Sequence, residues 1–258
     1  MNIHTLYQFL EQKKQMRTKN TVTLINHTGT DRTVALTAWA STGWENDVDL
    51  STLPVPVRQT ELFEATVKNK KKGIKDLLMF LGKAGHHSPF EHTQFQFIVT
   101  SDIATHIQIL KHRIGVSINT ESARYKELED KWHIPEDWDS VLEGKWADEL
   151  ESFNHYAHQK YHEALTELTP LLGRKRAKES ARFFLPYSKQ LSFWVSLNLR
   201  SLAHFVNLRA SGHAQAEIED VAMMMLEEIM ANCDVPICLE ALGLIELHEK
   251  RMVEKLKK

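Results

Sequence analysis

Cysteine is scarce in this chain: Cys233 and Cys238 are the only two in 258 residues, too few for a disulfide framework. No stretch approaches the roughly 18 consecutive apolar residues that a membrane-spanning helix requires, and residues 1–15 lack the apolar core of a signal peptide. Neither sign of charge is in excess. Lys and Arg total 32 against 34 for Asp and Glu, a net charge of −2, so no broad basic field suits nucleic acid and an anion must be held by a few local cations. Glycine and proline are modest at 10 and 7, with no repeat, no low-complexity tract and no marked linker. A glycine-rich dinucleotide fingerprint is missing too, which excludes a nucleotide held on a Rossmann turn. These absences point to a soluble, cytoplasmic protein without membrane or nucleic-acid partners.

What is present is ordinary globular composition, 42% hydrophobic and 26% charged, in a length that one large domain can fill. Residues 1–20 read as an N-terminal extension with an amphipathic helix at 4–16. Segments 21–27 and 33–38 read as strands around a turn at 28–31. A helix is expected over 59–83, with the lysines of 68–72 on a solvated face. Phe95, Phe97 and Val99 alternate with Gln94 and Gln96, the signature of a half-buried strand over 93–100. Leu150, Phe153, Ala157, Tyr161, Ala164 and Leu168 recur at steps of three or four and predict a helix over 148–169. Segment 189–208 is apolar on all sides and reads as a buried helix. Helices at 214–232 and 236–256 complete an α/β (mixed α+β) single domain, residues 1–258, with a small sheet and long helices.

Three polar clusters stand out. Lys111, His112 and Arg113 end a helix and are followed by Ser122 and Arg124. A basic helix end that answers the macrodipole would explain the first three alone, but Arg forks beside Ser hydroxyls also suit a phosphate or a carbonyl-rich base. His86, His87, Ser88, Glu91 and His92 crowd a corner with Pro89. Ser88 and Glu91 fit a capping box, although the strand that follows leaves room for barely one turn. On the expected 189–208 helix Asn198 and Arg209 share one face, and Arg200, His204 and Asn207 nearly the opposite one; these polar groups are either paired internally or meet two ligands, or one ligand and a partner subunit. A fourth set, His155, His158 and His162 with Glu151, lies opposite the apolar stripe of the 148–169 helix. It could bind zinc, but on a face read as solvated a Glu–His surface pairing accounts for it.

Residues 85–125, GHHSPFEHTQFQFIVTSDIATHIQILKHRIGVSINTESARY, resemble the flavin-dependent thymidylate synthases, whose mark is an Arg-His-Arg triplet followed at short range by Ser and then Arg-Tyr. Residues 179–216, with Arg209-Ala210 and Ala214-Gln215, resemble the second half of that family. The resemblance implies a homotetramer that binds FAD at subunit interfaces, takes deoxyuridine monophosphate (dUMP) as acceptor, methylene-tetrahydrofolate as carbon donor and NADPH as reductant. By position it places Ser41, His86, Ser88, Glu91, His112, Arg113, Glu121, Asn198, Arg200 and His204 at the flavin. It places Gln108, Lys111, Ser122, Ala123, Arg124, Arg182 and Arg209 at dUMP, with Arg209 as the catalytic residue that promotes ionisation at N3 of the uracil. No metal is implied.

The chain departs from the family pattern in four places. Lys111 replaces the first Arg of the triplet, and the loop from Arg113 to Ser122 is one residue longer. Thr120 sits where Glu is expected, with Glu121 beside it, and His204 stands where Asn is usual. These changes leave open a sister reaction that yields a hydroxymethyl product. A non-catalytic nucleotide-binding module would keep the Arg/Ser cluster without a flavin. The chemistry itself favours an enzyme with no protein nucleophile. Cys233 and Cys238 have no neighbouring cation in the sequence to favour a thiolate, whereas a fixed guanidinium can stabilise charge on a pyrimidine.

Overall fold

The computed structural model describes residues 16–44 and 48–257, so the helix expected at 4–16 lies outside the described residues except at its last position. Four strands, β1 (Thr21–Thr28), β2 (Gln94–Asp102), β3 (Val116–Thr120) and β4 (Gln190–Asn198), form one antiparallel sheet in the order β1-β2-β4-β3. Ten α-helices accompany them among the described residues: α1 (Asp31–Ala38), α2 (Val55–Val67), α3 (Ile74–Lys83), α4 (Ile103–Ile109), α5 (Lys145–Leu172), α6 (Arg174–Ala181), α7 (Leu199–Arg209), α8 (Ala216–Asn232), α9 (Pro236–Ala241) and α10 (Leu244–Lys255). The class is the mixed α/β one expected. The residues fall into two compact units. One comprises residues 16–21, Ile98–His112 and Ile118–Trp194, and the other Val22–Phe97, Arg113–Ser117 and Val195–Lys258.

Two junctions share one construction. β2 ends at Asp102, whose carboxylate accepts the Thr105 N–H and hydroxyl, both at 2.8 Å, and α4 begins at once. β4 ends at Asn198, whose Oδ1 accepts the Ser201 N–H at 2.8 Å, and α7 follows without a linker. In each case an Asx side chain satisfies a helix donor that otherwise has no partner.

In the first unit the long helix α5 packs on α6, with Tyr161, Leu165, Ala177 and Ala181 buried together. Trp132, Ile134 and Ala147 form a second cluster, joined by Met16 and Leu150. In the second unit Leu78 and Leu81 of α3, Leu202, Phe205 and Val206 of α7, and Ile218, Leu226 and Ile229 of α8 are buried. Helices α3 and α9 approach so closely that a methyl group on Gly82 would collide with the Ala241 backbone.

Several elements differ from the sequence reading. Residues 33–38, expected as a strand, belong to α1. Thr30 and Thr33 close a reciprocal capping box, and Asp31 accepts the backbone N–H groups of Ile237 and Cys238, each at 2.9 Å, so capping overrides the β-branched side chains. The helix expected over 59–83 divides into α2 and α3 at the lysine run, where like charges would sit on adjacent turns. The segment read as a helix over 189–208 is a strand up to Asn198: Phe193, Val195 and Leu197 are buried in alternation with Ser192, Trp194 and Ser196. The helix expected over 236–256 breaks at Leu242-Gly243, where Gly243 adopts a φ of 73°.

Candidate active site

In the second unit a cavity of about 610 Å³ opens at the N-terminal half of α7. Asn198 lines it as the helix cap, and Arg200, His204 and Asn207 follow at steps of four and three on one helix face. The opposite wall is the Ser88–His92 turn, from which Glu91 reaches Arg200 as an ion pair. His87 also lines the cavity, its ring edge-on to buried Phe90 at 6.2 Å. The floor includes Ile114 and Gly115. Ser201 Oγ donates to the Ile114 carbonyl at 2.7 Å, drawing the loop onto α7. Gly115 has a φ of 65°, and a methyl there would lie 2.7 Å from Asn198 Nδ2 and against Ser201 Oγ, so only glycine admits this approach.

This wall offers a carboxamide, a guanidinium, an imidazole and a helix N-terminus within a cavity of ordinary ligand size. Such donors suit an anionic, carbonyl-rich cofactor. Of the residues assigned to the flavin, Glu91, Asn198, Arg200 and His204 are brought together here. The others do not line this cavity. Ser41 is exposed and donates to the Ala38 carbonyl at 3.0 Å. His86 is exposed, edge-on to Phe80, and Ser88 begins the turn that carries Glu91. Arg113 is exposed in the segment that leads to Ile114, and His112 and Glu121 belong to the first unit. His87, Gly115 and Asn207 are wall residues that the assignment omitted. Asn207 was visible as part of the α7 polar row, but only the φ of Gly115 reveals its role. Because Asn198 is a cap and not a helical residue, it shares the cavity with Arg200, whereas the sequence reading had set them on opposite faces.

The residues assigned to dUMP, except Arg209, lie in the first unit. Gln108 and Lys111 stand at the end of α4, which His106 ties to the sheet: its Nε2 is 2.8 Å from Thr120 Oγ1 and its ring is 4.6 Å from Phe193. Burial pushes the His106 imidazole below its usual range, favouring the neutral ring. Ser122, Ala123 and Arg124 occupy a turn in which Ser122 Oγ accepts the Arg124 N–H at 3.3 Å. Glu121 precedes it, paired with Lys126 at 2.7 Å and accepting the Ser192 N–H at 2.8 Å. Arg182 is exposed directly after α6. Arg209, half-buried, closes α7 in the second unit.

Neither cysteine is disposed to attack. Burial and Glu228 raise the Cys233 thiol to about 11, and burial together with Asp31 raises Cys238 further.

The histidine row of α5 is not a solvated face, contrary to its sequence reading. His158 is 2% exposed, its ring 5.1 Å from that of buried Trp132, and its Nδ1 bonds the Asn154 carbonyl at 2.9 Å. His162 pairs with Asp130 at 2.8 Å. Phe153, placed on the buried stripe, is instead 55% exposed, because the 28-residue helix is covered on a different face by the Trp132 segment. Among the described residues no three His, Cys, Asp or Glu side chains are grouped to hold a metal.

The family model for thymidylate synthase complementing proteins matches residues 23–234. A flavin-dependent thymidylate synthase from Thermosipho africanus is 36% identical over 174 residues, covering 62% of this chain and 73% of the relative. One from Streptomyces avermitilis is 27% identical over 227 residues, covering 84% and 85%. A crystal structure of the UMP/dUMP methylase PolB from Streptomyces cacaoi bound with 5-Br dUMP superposes with a TM-score of 0.68 at 26% identity, over 88% of this chain and 96% of that one.

Proposed function

We propose that this chain, which belongs to the thymidylate synthase complementing protein family, is a flavin-dependent thymidylate synthase. In this reading residues 1–258 work as one catalytic domain that converts dUMP to dTMP, with methylene-tetrahydrofolate as carbon donor and NADPH as reductant. The observation that carries it is the α7 cavity, where Asn198, Arg200 and His204 face Glu91 across a glycine floor. Those residues would hold FAD, the Arg200–Glu91 pair fixing one guanidinium plane and the cap of α7 offering an end suited to negative charge. A bound flavin supplies a two-electron reduction that no side chain can perform.

The remaining work falls to cations. Lys111, Arg124 and Arg182 neutralise the dUMP phosphate, and Ser122 adds a hydroxyl. Arg209 stabilises the negative charge that develops on the uracil ring, so that C5 attacks the one-carbon unit without a protein nucleophile. The high thiol pKa of Cys233 and the still higher one of Cys238 support that route. Active sites formed between subunits of a homotetramer complete the reading, with the cytoplasm as its compartment.

The test is direct. The purified protein should be yellow and release flavin on denaturation, and light scattering should give a tetramer. With dUMP, methylene-tetrahydrofolate and NADPH it should form a product with the mass of thymidylate; UMP should be run beside dUMP. A protein that is colourless and takes up no added FAD would refute the reading, and a hydroxymethylated product would move it to the sister reaction.

A further inference from the structure

The 122–126 turn, which carries Ser122 and Arg124, is joined to α6 through two adjacent residues. Lys178 is only 8% exposed, and its ammonium donates to the Tyr125 carbonyl at 3.1 Å. Beside it, Glu179 accepts from Arg124 Nε at 3.1 Å, while its other oxygen faces Arg176 at 3.6 Å. The same short helix then runs directly into Arg182. One element therefore holds the turn that presents one candidate phosphate cation and carries the next.

The contact at Arg124 is informative in its detail. Glu179 engages the guanidinium through Nε, from the side, and not through the Nη pair used in a fork-like grip. A side-on contact fixes the plane of the group while directing its Nη donors elsewhere. The side chains of Arg124 and Glu179 are 43% and 22% exposed, so the carboxylate is the more enclosed partner and the arginine the one presented outward. Burying the Lys178 ammonium carries a desolvation cost, which its bond to the Tyr125 carbonyl offsets in part.

We propose that Lys178 and Glu179 are positioning residues for the phosphate of the nucleotide. They clamp the 122–126 turn to α6 and set Arg124, together with Arg182 at the end of that helix, to grip one phosphate monoester. The inference rests on the reading that Arg124 and Arg182 meet that phosphate. Holding a long side chain in place before binding removes the ordering cost that binding would otherwise meet.

The experiment uses the full-length, flavin-loaded enzyme and two ligands, dUMP and deoxyuridine, which differ only in the phosphate. Glu179→Gln keeps shape and removes charge. Its affinity for dUMP should fall about 10-fold, the worth of one charge-assisted hydrogen bond, while deoxyuridine binding stays unchanged. Glu179→Asp should recover part of the loss, and Lys178→Met should show the same selectivity for the phosphate. Arg124→Ala should weaken dUMP more strongly, and Glu179→Gln should then add nothing further. Equal losses for both ligands, unchanged or tighter dUMP binding by Glu179→Gln, or additive losses on the Arg124→Ala background would each overturn the clamp. If Arg124→Ala itself leaves dUMP affinity intact, the underlying phosphate reading fails as well. That outcome is distinct from a potent Arg124→Ala beside an inert Glu179→Gln. Should Lys178→Met not fold, the partly exposed and isosteric Glu179→Gln decides alone.

Discussion

Arg209 shows what a single side chain contributes when its neighbours are fixed. It ends α7, the helix whose opposite end caps the proposed flavin cavity, yet it does not line that cavity. In the proposed reading, binding of the cofactor and activation of the pyrimidine therefore separate along one helix. Arg209→Ala should retain flavin with an unchanged absorption spectrum while turnover falls on the order of 10²- to 10³-fold, the usual effect of losing a preorganised charge at a developing anion. Stopped-flow reduction of the flavin, measured beside product formation, checks it. Normal turnover would assign the task to another cation. Arg209 was singled out in the sequence by the resemblance, because an Arg close to Ala-Gln is a specific pattern. Gly115 was not, because nothing in the letters around it signals a left-handed φ pressed against Asn198.

At the level of elements, the strand–Asx–helix junctions at Asp102 and Asn198 offer a matched comparison. Both side chains accept a helix N–H at 2.8 Å, but only Asn198 also lines the cavity. Asp102→Ala and Asn198→Ala should each destabilise by about 1 kcal/mol or more, a fall in Tm of roughly 2–4 °C for a chain of this size. Only Asn198→Ala should also loosen flavin, as scored by the absorbance retained after dialysis. Equal flavin loss in both variants would show that cap strength, and not the carboxamide, governs retention. These junctions also explain which elements the sequence disclosed. β2 was visible because polar Gln94 and Gln96 separate its buried positions. β4 has the same period, but Trp194 on its outer face hides the alternation and makes the segment look apolar throughout. The histidine face of α5 was misjudged for a related reason: a 28-residue helix can be covered by different segments along its length, and one apolar stripe reports only one of them. Four of the positions that the resemblance assigns to the flavin gather at one cavity because their letters follow the β4–α7 junction and its facing turn, whereas Ser41 lies on an exposed segment outside it.

The molecule as a whole balances its charges closely, so its pH response is governed by individual groups and not by net repulsion. Lys189 is the clearest of them. It is 1% exposed, its ammonium donates to the Gln190 carbonyl, and burial lowers it from 10.5 to about 8. The folded state releases this proton more readily than the unfolded one. Between about pH 8 and 10.5 the unfolded chain thus binds more protons, and this residue makes stability rise with pH, at up to about 1.4 kcal/mol per pH unit. Below pH 8 both states are protonated and the contribution is flat. Denaturant melts from pH 7 to 10 should show a steeper rise for the parent than for Lys189→Met; parallel profiles would contradict the assignment.

Cys238 offers a different use of burial. It is 0% exposed at the start of α9, its backbone N–H held by Asp31 and its thiol far from ionising, so an alkylating reagent reaches it only when that region opens. The chain therefore carries a built-in clock. In a Cys233→Ala background, the rate of iodoacetamide labelling in native buffer should follow the opening of the α1–α9 contact, reaching the rate of a free thiol only in denaturant. Mass spectrometry of the labelled peptide would time that opening, and would reveal whether added FAD slows it.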